Sequence, residues 1–286
     1  MFLLTVAALV LELPPVLGSP QCQNRSLENR STKPGVDRPC LCAFDVDRTL
    51  TGYQELREEC PLNLVKDGVK DYAYLYATPR GFGFLTLSEL SQGLNATFCR
   101  HCYLGIASAG GAGLDDEKAV LSSVLHAGVA RGELYEALPN WTTGENPEEQ
   151  VESEAPFVVW CAEGQKNLCV KKIVEWYRSE RNVSISDEDV YFFDDKEDNI
   201  SPFVQTNYNA FQVSCGSRNG SRGLCGGRVA EVWDTKGVFL CEGEQQVCME
   251  DLHTTTASPI AMSHAWGSSA SAAWAAVLVL VVSWNR

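Results

Sequence analysis

Two aspartates one residue apart, Asp45 and Asp47, follow directly on the apolar run Leu41–Phe44, in the segment Phe44-Asp45-Val46-Asp47-Arg48-Thr49. A carboxylate held at a strand end can attack phosphorus and form an acyl phosphate. A second carboxylate two residues on can protonate the leaving oxygen and then deprotonate water. Two acids this close repel each other, so a divalent cation is expected to keep them ionised. The structural alternative is an Asp-rich turn in which Thr49 caps a helix.

Three further segments carry chemistry in the same way. Ser108 closes the apolar stretch Leu104–Ala107 and is followed by Ala109-Gly110-Gly111, so a hydroxyl and backbone amides there could hold phosphate oxygens. Lys166 comes shortly after the run Phe157–Cys161 and opens an amphipathic helix. A lysine at a helix start works against the dipole, a placement easier to understand if it faces an anion. Lys171 and Lys172, a turn later, read as solvated. The fourth segment is Phe192-Phe193-Asp194-Asp195-Lys196-Glu197-Asp198-Asn199. Acids placed straight after a buried strand are costly unless a cation compensates them.

The elements that must position these residues can be read from apolar periodicity. Leu41–Phe44, Tyr103–Ala107, Phe157–Cys161, Val190–Phe193 and Ala210–Val213 are short apolar runs. Between them, Leu87, Leu90, Leu94 and Phe98 have helical spacing, Ala119–Leu125 looks helical, and Val170, Ile173, Val174 and Tyr177 fall at i, i+3, i+4, i+7. Strands alternating with helices imply an α/β protein: a doubly wound, Rossmann-like parallel sheet with flanking helices. Such sheets bind ligands at the carboxyl ends of their strands. No internal repeat is visible.

Taken in order, Asp45-x-Asp47-x-Thr49, Ser108, Lys166 and Asp194-Asp195-x-x-x-Asn199 resemble the four motifs of the haloacid-dehalogenase superfamily, most closely its magnesium-dependent phosphatase branch. The resemblance spans about residues 40–215. It implies Asp45 as nucleophile and Mg²⁺ ligand. Asp47 would be the acid/base and would bind the metal through its carbonyl. Thr49, Ser108 and Lys166 would hold the phosphoryl group, and Asp194 would ligate the metal with Asp195, Asp198 or Asn199 in support. The family's dehalogenases lack the second aspartate, so Asp47 points to phosphoryl transfer. Arg48 departs from the pattern, since glycine is commonest there. The intervals around Ser108 leave no room for a large cap, so a small flap near Tyr53–Phe84, stapled through Cys60, is expected. An open site would admit phosphorylated small molecules, phosphoproteins or surface polymers.

Bulk properties set the compartment and exclude some partners. The chain has 286 residues, 45% of them hydrophobic, and a net charge of −14. That balance argues against a nucleic-acid surface, which needs a basic face. Twelve cysteines suit an oxidising compartment. Asn24, Asn29, Asn95, Asn140, Asn182, Asn199 and Asn219 all stand in N-x-[ST] sequons, as in a secreted or cell-surface glycoprotein. Residues 1–18 read as a signal peptide and 19–39 as a glycosylated linker. Residues 40–248 form the catalytic domain, and 249–286 a Ser/Thr/Ala-rich spacer with an apolar tail. That tail reads as a GPI-anchor signal or a plain tail anchor.

Other candidates are weaker. Cys99-Arg100-His101-Cys102 reads as structural disulfide partners rather than a redox pair or half a zinc site. Cys215 with Cys225, and Cys241 with Cys248, are close enough to pair locally. The histidines form no cluster. Trp141, Trp160 and Trp176 read as core or surface anchors rather than a ligand platform. The leading expectation is therefore a Mg²⁺-dependent phosphomonoester hydrolase; the alternative is a degenerate surface-binding glycoprotein of the same fold. A phosphomutase would need a substantial cap.

Overall fold

Leu41–Phe44 (β1) is apolar at every position, so neither of its faces tolerates water. The fold buries all four residues by placing β1 in the middle of a sheet. The computed structural model describes residues 33–54, 56–72, 83–130, 141–144, 155–242 and 245–248. The expected signal peptide, the linker up to residue 32 and the tail from residue 249 lie outside the described residues, as do the sequons at Asn24, Asn29 and Asn140.

Beyond β1 come β2 (Leu64–Lys70), β3 (Phe84–Leu87), β4 (Tyr103–Ala107), β5 (Thr142–Thr143) and β6 (Phe157–Val159). The second half adds β7 (Val190–Asp194), β8 (Asn209–Gln212), β9 (Arg218–Asn219), β10 (Arg222–Gly223), β11 (Val238–Glu242) and β12 (Gln245–Cys248). The main sheet runs β12-β11-β8-β7-β1-β4-β6-β5. Every pairing in it is parallel except β11 with β12, which is antiparallel.

Side chains alternate between two cores, one on each face. Cys42, Phe44, Ile106, Tyr191 and Phe193 pack with Leu121 and Leu125 of α2 (Asp115–Gly128). Leu41, Ala43, Val190 and Phe192 pack with Val170, Ile173, Val174 and Tyr177 of α3 (Lys166–Arg181). Helices on both faces of a parallel sheet make this a doubly wound α/β fold. Under the carboxyl ends, Phe44, Phe193, Phe211 and Phe239 stack in a row across β1, β7, β8 and β11, with centroids 4.7–5.2 Å apart.

The helical spacing from Leu87 to Phe98 is not one helix. Leu87 ends β3, α1 covers only Glu89–Gly93, and tight turns carry Leu94 and Phe98. The spacing still has a cause: Leu87, Leu90 and Leu94 are all buried in one core. β5, β9, β10, β11 and β12 were not foreseen. β2 and β3 form a separate antiparallel pair in the interval where a flap is expected.

Five disulfides knit the described residues, as suits an oxidising, extracellular setting. Cys40–Cys102 and Cys42–Cys99 fasten β1 to the turn before β4, so the C-x-x-C cysteines are structural and do not pair with each other. The expected local pairs involving Cys215 and Cys225 do not form. Cys215 bonds Cys241 and Cys225 bonds Cys60. The reason is topological: β8 and β11 are neighbouring parallel strands, which brings Cys215 beside Cys241. With Cys241 so paired, it is also lost to Cys248. No helix among the described residues is long and apolar enough to cross a membrane.

Candidate functional site

Register places the acids. Phe44 pairs with Phe193, and the Asp45 amide continues the ladder to the Phe193 carbonyl at 2.9 Å. Asp45 and Asp194 therefore leave adjacent strands side by side. The carboxylates of Asp45, Asp194 and Asp195, all buried, offer oxygens within 4.8 Å of one another. This triad can hold a metal ion.

Lys166, the first residue of α3, reaches the same point. It is buried, and its Nζ donates to Asp45 Oδ1 at 2.6 Å and Asp194 Oδ2 at 2.6 Å. The anion sought for this unfavourable helix-start lysine is thus a pair of the protein's own carboxylates. Burial alone would lower the lysine's affinity for its proton, but Asp194 and Asp45 outweigh that and raise it. The Cys161–Cys169 disulfide closes the loop that delivers Lys166.

Asn199 is buried and used at both ends. Its Nδ2 donates to Asp194 at 3.0 and 3.1 Å, and its Oδ1 accepts from the Gly164 amide at 2.9 Å. The Lys196 amide adds a donor to Asp194 Oδ1 at 2.8 Å. Asp195 Oδ2 accepts from the Gly223 amide at 2.7 Å. A Cβ at Gly223 would fall 2.5 Å from Ser214 Oγ and 3.2 Å from Asp195 Cβ, so the close approach requires glycine. Asp198, by contrast, is exposed, and no contact among the described residues brings its carboxylate to the triad.

The turn after β1 also accounts for Arg48. Its φ is +64° and ψ +17°, the left-handed region. Glycine takes that conformation freely, whereas a non-glycine residue costs about 1–2 kcal/mol there. Three contacts offset the cost. The Arg48 amide donates to Thr51 Oγ1 at 3.3 Å, its guanidinium lies 5.5 Å from the Tyr53 ring centre, and its charge acts on Asp47 and Asp195.

The site holds more negative than positive charge. Burial, then the neighbouring acids, raise Asp45 well above the usual carboxylate range, with Lys166 pulling the other way. Burial also raises Asp47, against the opposing charges of Lys166, Arg48 and Lys196. Asp195 is pushed up to about 7 by burial and by Asp194. Adding a divalent cation is the direct way to hold such acids ionised. Three buried oxygens near these strand ends, Asp47 Oδ1, Thr49 Oγ1 and Ser108 Oγ, have no hydrogen-bond partner among the described residues. Buried polar atoms are normally satisfied, so atoms like these, carried by the segments that follow β1 and β4, have room for a further partner.

Sequence reasoning missed the contribution of residues 214–225, which cover Asp195 through Gly223. It also missed Glu117, buried on the first turn of α2 and raised to about 8 by burial and by Asp71 and Asp47. Glu117 gave one signal: it is an acid on the core-facing side of an otherwise amphipathic helix.

Fold and site together define a doubly wound α/β protein with a buried aspartate triad at its central strand ends, two of whose members Lys166 clamps. No family model matches the chain, and no curated protein matches it.

Proposed function

We propose that this chain is a Mg²⁺-dependent phosphomonoesterase of the haloacid-dehalogenase type, with Asp45 as nucleophile. The observation that carries the reading is convergence. Residues from four separate strand ends, spread from Asp45 to Asp194, resemble the family's motifs in order, and Asp45, Lys166 and Asp194 meet within 2.6 Å contacts.

In this reading an Asp45 carboxylate oxygen attacks the phosphorus of a monoester as the bond to the leaving oxygen breaks. Asp47, its carboxyl raised by burial, gives its proton to that oxygen. The product is an aspartyl-phosphate. Asp47 then takes a proton from water, the water oxygen bonds phosphorus, and the Asp45–phosphorus bond breaks to release phosphate. Thr49 and Ser108 donate their hydroxyls to phosphoryl oxygens, and Lys166 supplies positive charge beside them. Asp45, Asp194 and the Asp47 carbonyl would hold Mg²⁺ with Asp195 and Asn199 in support; when bound, the ion neutralises the carboxylates and the phosphoryl charge. Asn199 acts on the site by fixing the Asp194 carboxylate.

The disulfides support a secretory-pathway destination, outside the cell or at its surface. Attachment through the C-terminal tail is tested by release with a phosphatidylinositol-specific phospholipase; retention means a spanning tail. Turnover is tested by hydrolysis of an aryl phosphate with and without Mg²⁺, for wild type and Asp45→Asn. The expected result is Mg²⁺-dependent activity abolished by the substitution. Equal activity in both proteins overturns the nucleophile assignment. Inactivity of wild type on a broad phosphate panel overturns the phosphatase reading and favours a degenerate binding protein of the same fold.

A further inference from the structure

Trp160 follows β6 at the carboxyl end of the sheet, between the Ser108 loop and Lys166. Its φ is +61°, a left-handed conformation that bulky residues rarely adopt. The residue is 51% exposed. Trp141 and Trp176 behave differently: they lie 5.4 Å from the Phe157 ring and 4.9 Å from the Tyr177 ring, and so fit the anchoring role their composition suggests.

The backbone of Trp160 is locked in place. Its amide donates to the Gly110 carbonyl at 3.2 Å. The next amide, of Cys161, donates to the Ser108 carbonyl at 2.9 Å, and Cys161 is bonded to Cys169 in α3. Strain of this kind persists where the surroundings over-determine it, and it clusters at functional sites.

The indole lies against glycine backbone. A Cβ at Gly111 would fall 2.8 Å from its Cζ2. One residue back, a Cβ at Gly110 would fall 3.1 Å from Asp47 Oδ2. The glycine pair therefore lies against the indole at one residue and the Asp47 carboxylate at the other. Asp47 is the group assigned to the leaving oxygen, and the indole packs on the glycine next to the one that meets its carboxylate.

We propose that Trp160 is a specificity-determining platform for the leaving group, and that the favoured substrates are aryl phosphomonoesters. This rests on the phosphatase reading above. A flat, exposed aromatic face beside side-chain-free backbone suits a flat ring, which gains from offset stacking.

The test compares wild type, Trp160→Phe and Trp160→Ala on phenyl phosphate and ethyl phosphate with Mg²⁺. Calorimetry on the same proteins compares phenylphosphonate with methylphosphonate. Trp160→Ala is expected to lower the phenyl-over-ethyl ratio of kcat/KM about 3- to 10-fold, mainly through KM, and Trp160→Phe to keep most of it. The calorimetric preference should fall in parallel. An unchanged ratio in Trp160→Ala overturns the platform, whether both esters suffer equally or neither does. If wild type hydrolyses neither ester, nor any member of a broad phosphate panel, the phosphatase reading fails by itself. A phenyl preference in binding that depends on Trp160 then still sustains the platform, and its absence overturns it.

Discussion

The Lys166 ammonium donates to Asp45 Oδ1 at 2.6 Å, joining the start of a helix to the end of the central strand. The same group holds Asp194 at 2.6 Å. All three side chains are buried, so removing the lysine leaves acids without their nearest counter-charge. Lys166→Met is expected to destabilise the metal-free protein by about 3–5 kcal/mol at pH 8, as breaking a buried pair does. The loss should shrink at pH 5, because Asp45, raised by burial, takes up a proton more readily as pH falls, and Mg²⁺ should restore part of it. Urea midpoints with chelator and with Mg²⁺ measure all three. A variant as stable as wild type at pH 8 would show that the clamp carries no stability.

How far this was legible in the sequence differs between fold and site. β1 and β7 were readable because both are buried on two faces, and a continuous apolar run ending in acids fits poorly anywhere but at the end of a central strand. The motif order then placed Asp45, Ser108, Lys166 and Asp194 at strand ends. What failed was whatever depends on contacts distant in sequence. Cys225 pairs with Cys60 and Cys215 with Cys241, although each has a cysteine nearer in the chain. Nothing local marks Gly223 as the donor to Asp195. Asp198 looked like its acidic neighbours, yet the first turn of α4 (Glu197–Ile200) turns it to solvent and Asn199 inward. Arg48 was opaque because the left-handed turn alone favours glycine, and what offsets its cost to arginine, among it the Tyr53 ring and Asp195, lies outside the motif.

Glu117 gives a pH dependence with a defined direction. Its carboxyl is raised from an ordinary 4.5 to about 8, chiefly by burial and then by Asp71 and Asp47. The folded protein therefore holds this proton more tightly than the unfolded chain. The resulting stability is complete below about pH 4.5 and is lost as pH rises through about 8. Without metal, wild type should be less stable at pH 9 than at pH 5, by up to about 1.4 kcal/mol per pH unit for each such group. Glu117→Gln mimics the protonated form. It should match wild type at pH 5 and exceed it by roughly 1–3 kcal/mol at pH 9. Denaturant midpoints that run parallel for the two proteins would refute this.

Asn199 stands in a sequon but is buried, with its amide committed to Asp194 and Gly164. A glycan there is incompatible with this packing. Asn95, Asn182 and Asn219 are exposed and in sequons of their own. Peptide mapping by mass spectrometry of protein from a glycosylating host should find Asn199 unmodified, with any glycans among the described residues confined to those three. Occupancy at Asn199 in folded, secreted protein would contradict the site's geometry.

The Cys60–Cys225 disulfide links residues 165 apart and ties the chain just before β2 to the segment that carries Gly223. That segment is also held by Cys215–Cys241, and it covers the metal triad through the Gly223 amide on Asp195. Cutting the first tie should act on stability and on the site together. The double substitution Cys60→Ser, Cys225→Ser is expected to cost about 2–4 kcal/mol. The Tyr53 amide, which donates to the Leu224 carbonyl at 2.6 Å, and Arg218, which donates to the Asp195 carbonyl at 2.9 Å, would still hold residues 216–225, but hydrogen bonds hold less firmly than a covalent tie. A looser Gly223 donates less well to Asp195, whose carboxylate then loses a partner that favours its charged form. The variant should therefore need more Mg²⁺ for half-maximal binding, measured calorimetrically, by several-fold. A stability loss with unchanged Mg²⁺ affinity would mean that the disulfide braces the fold without reaching the site.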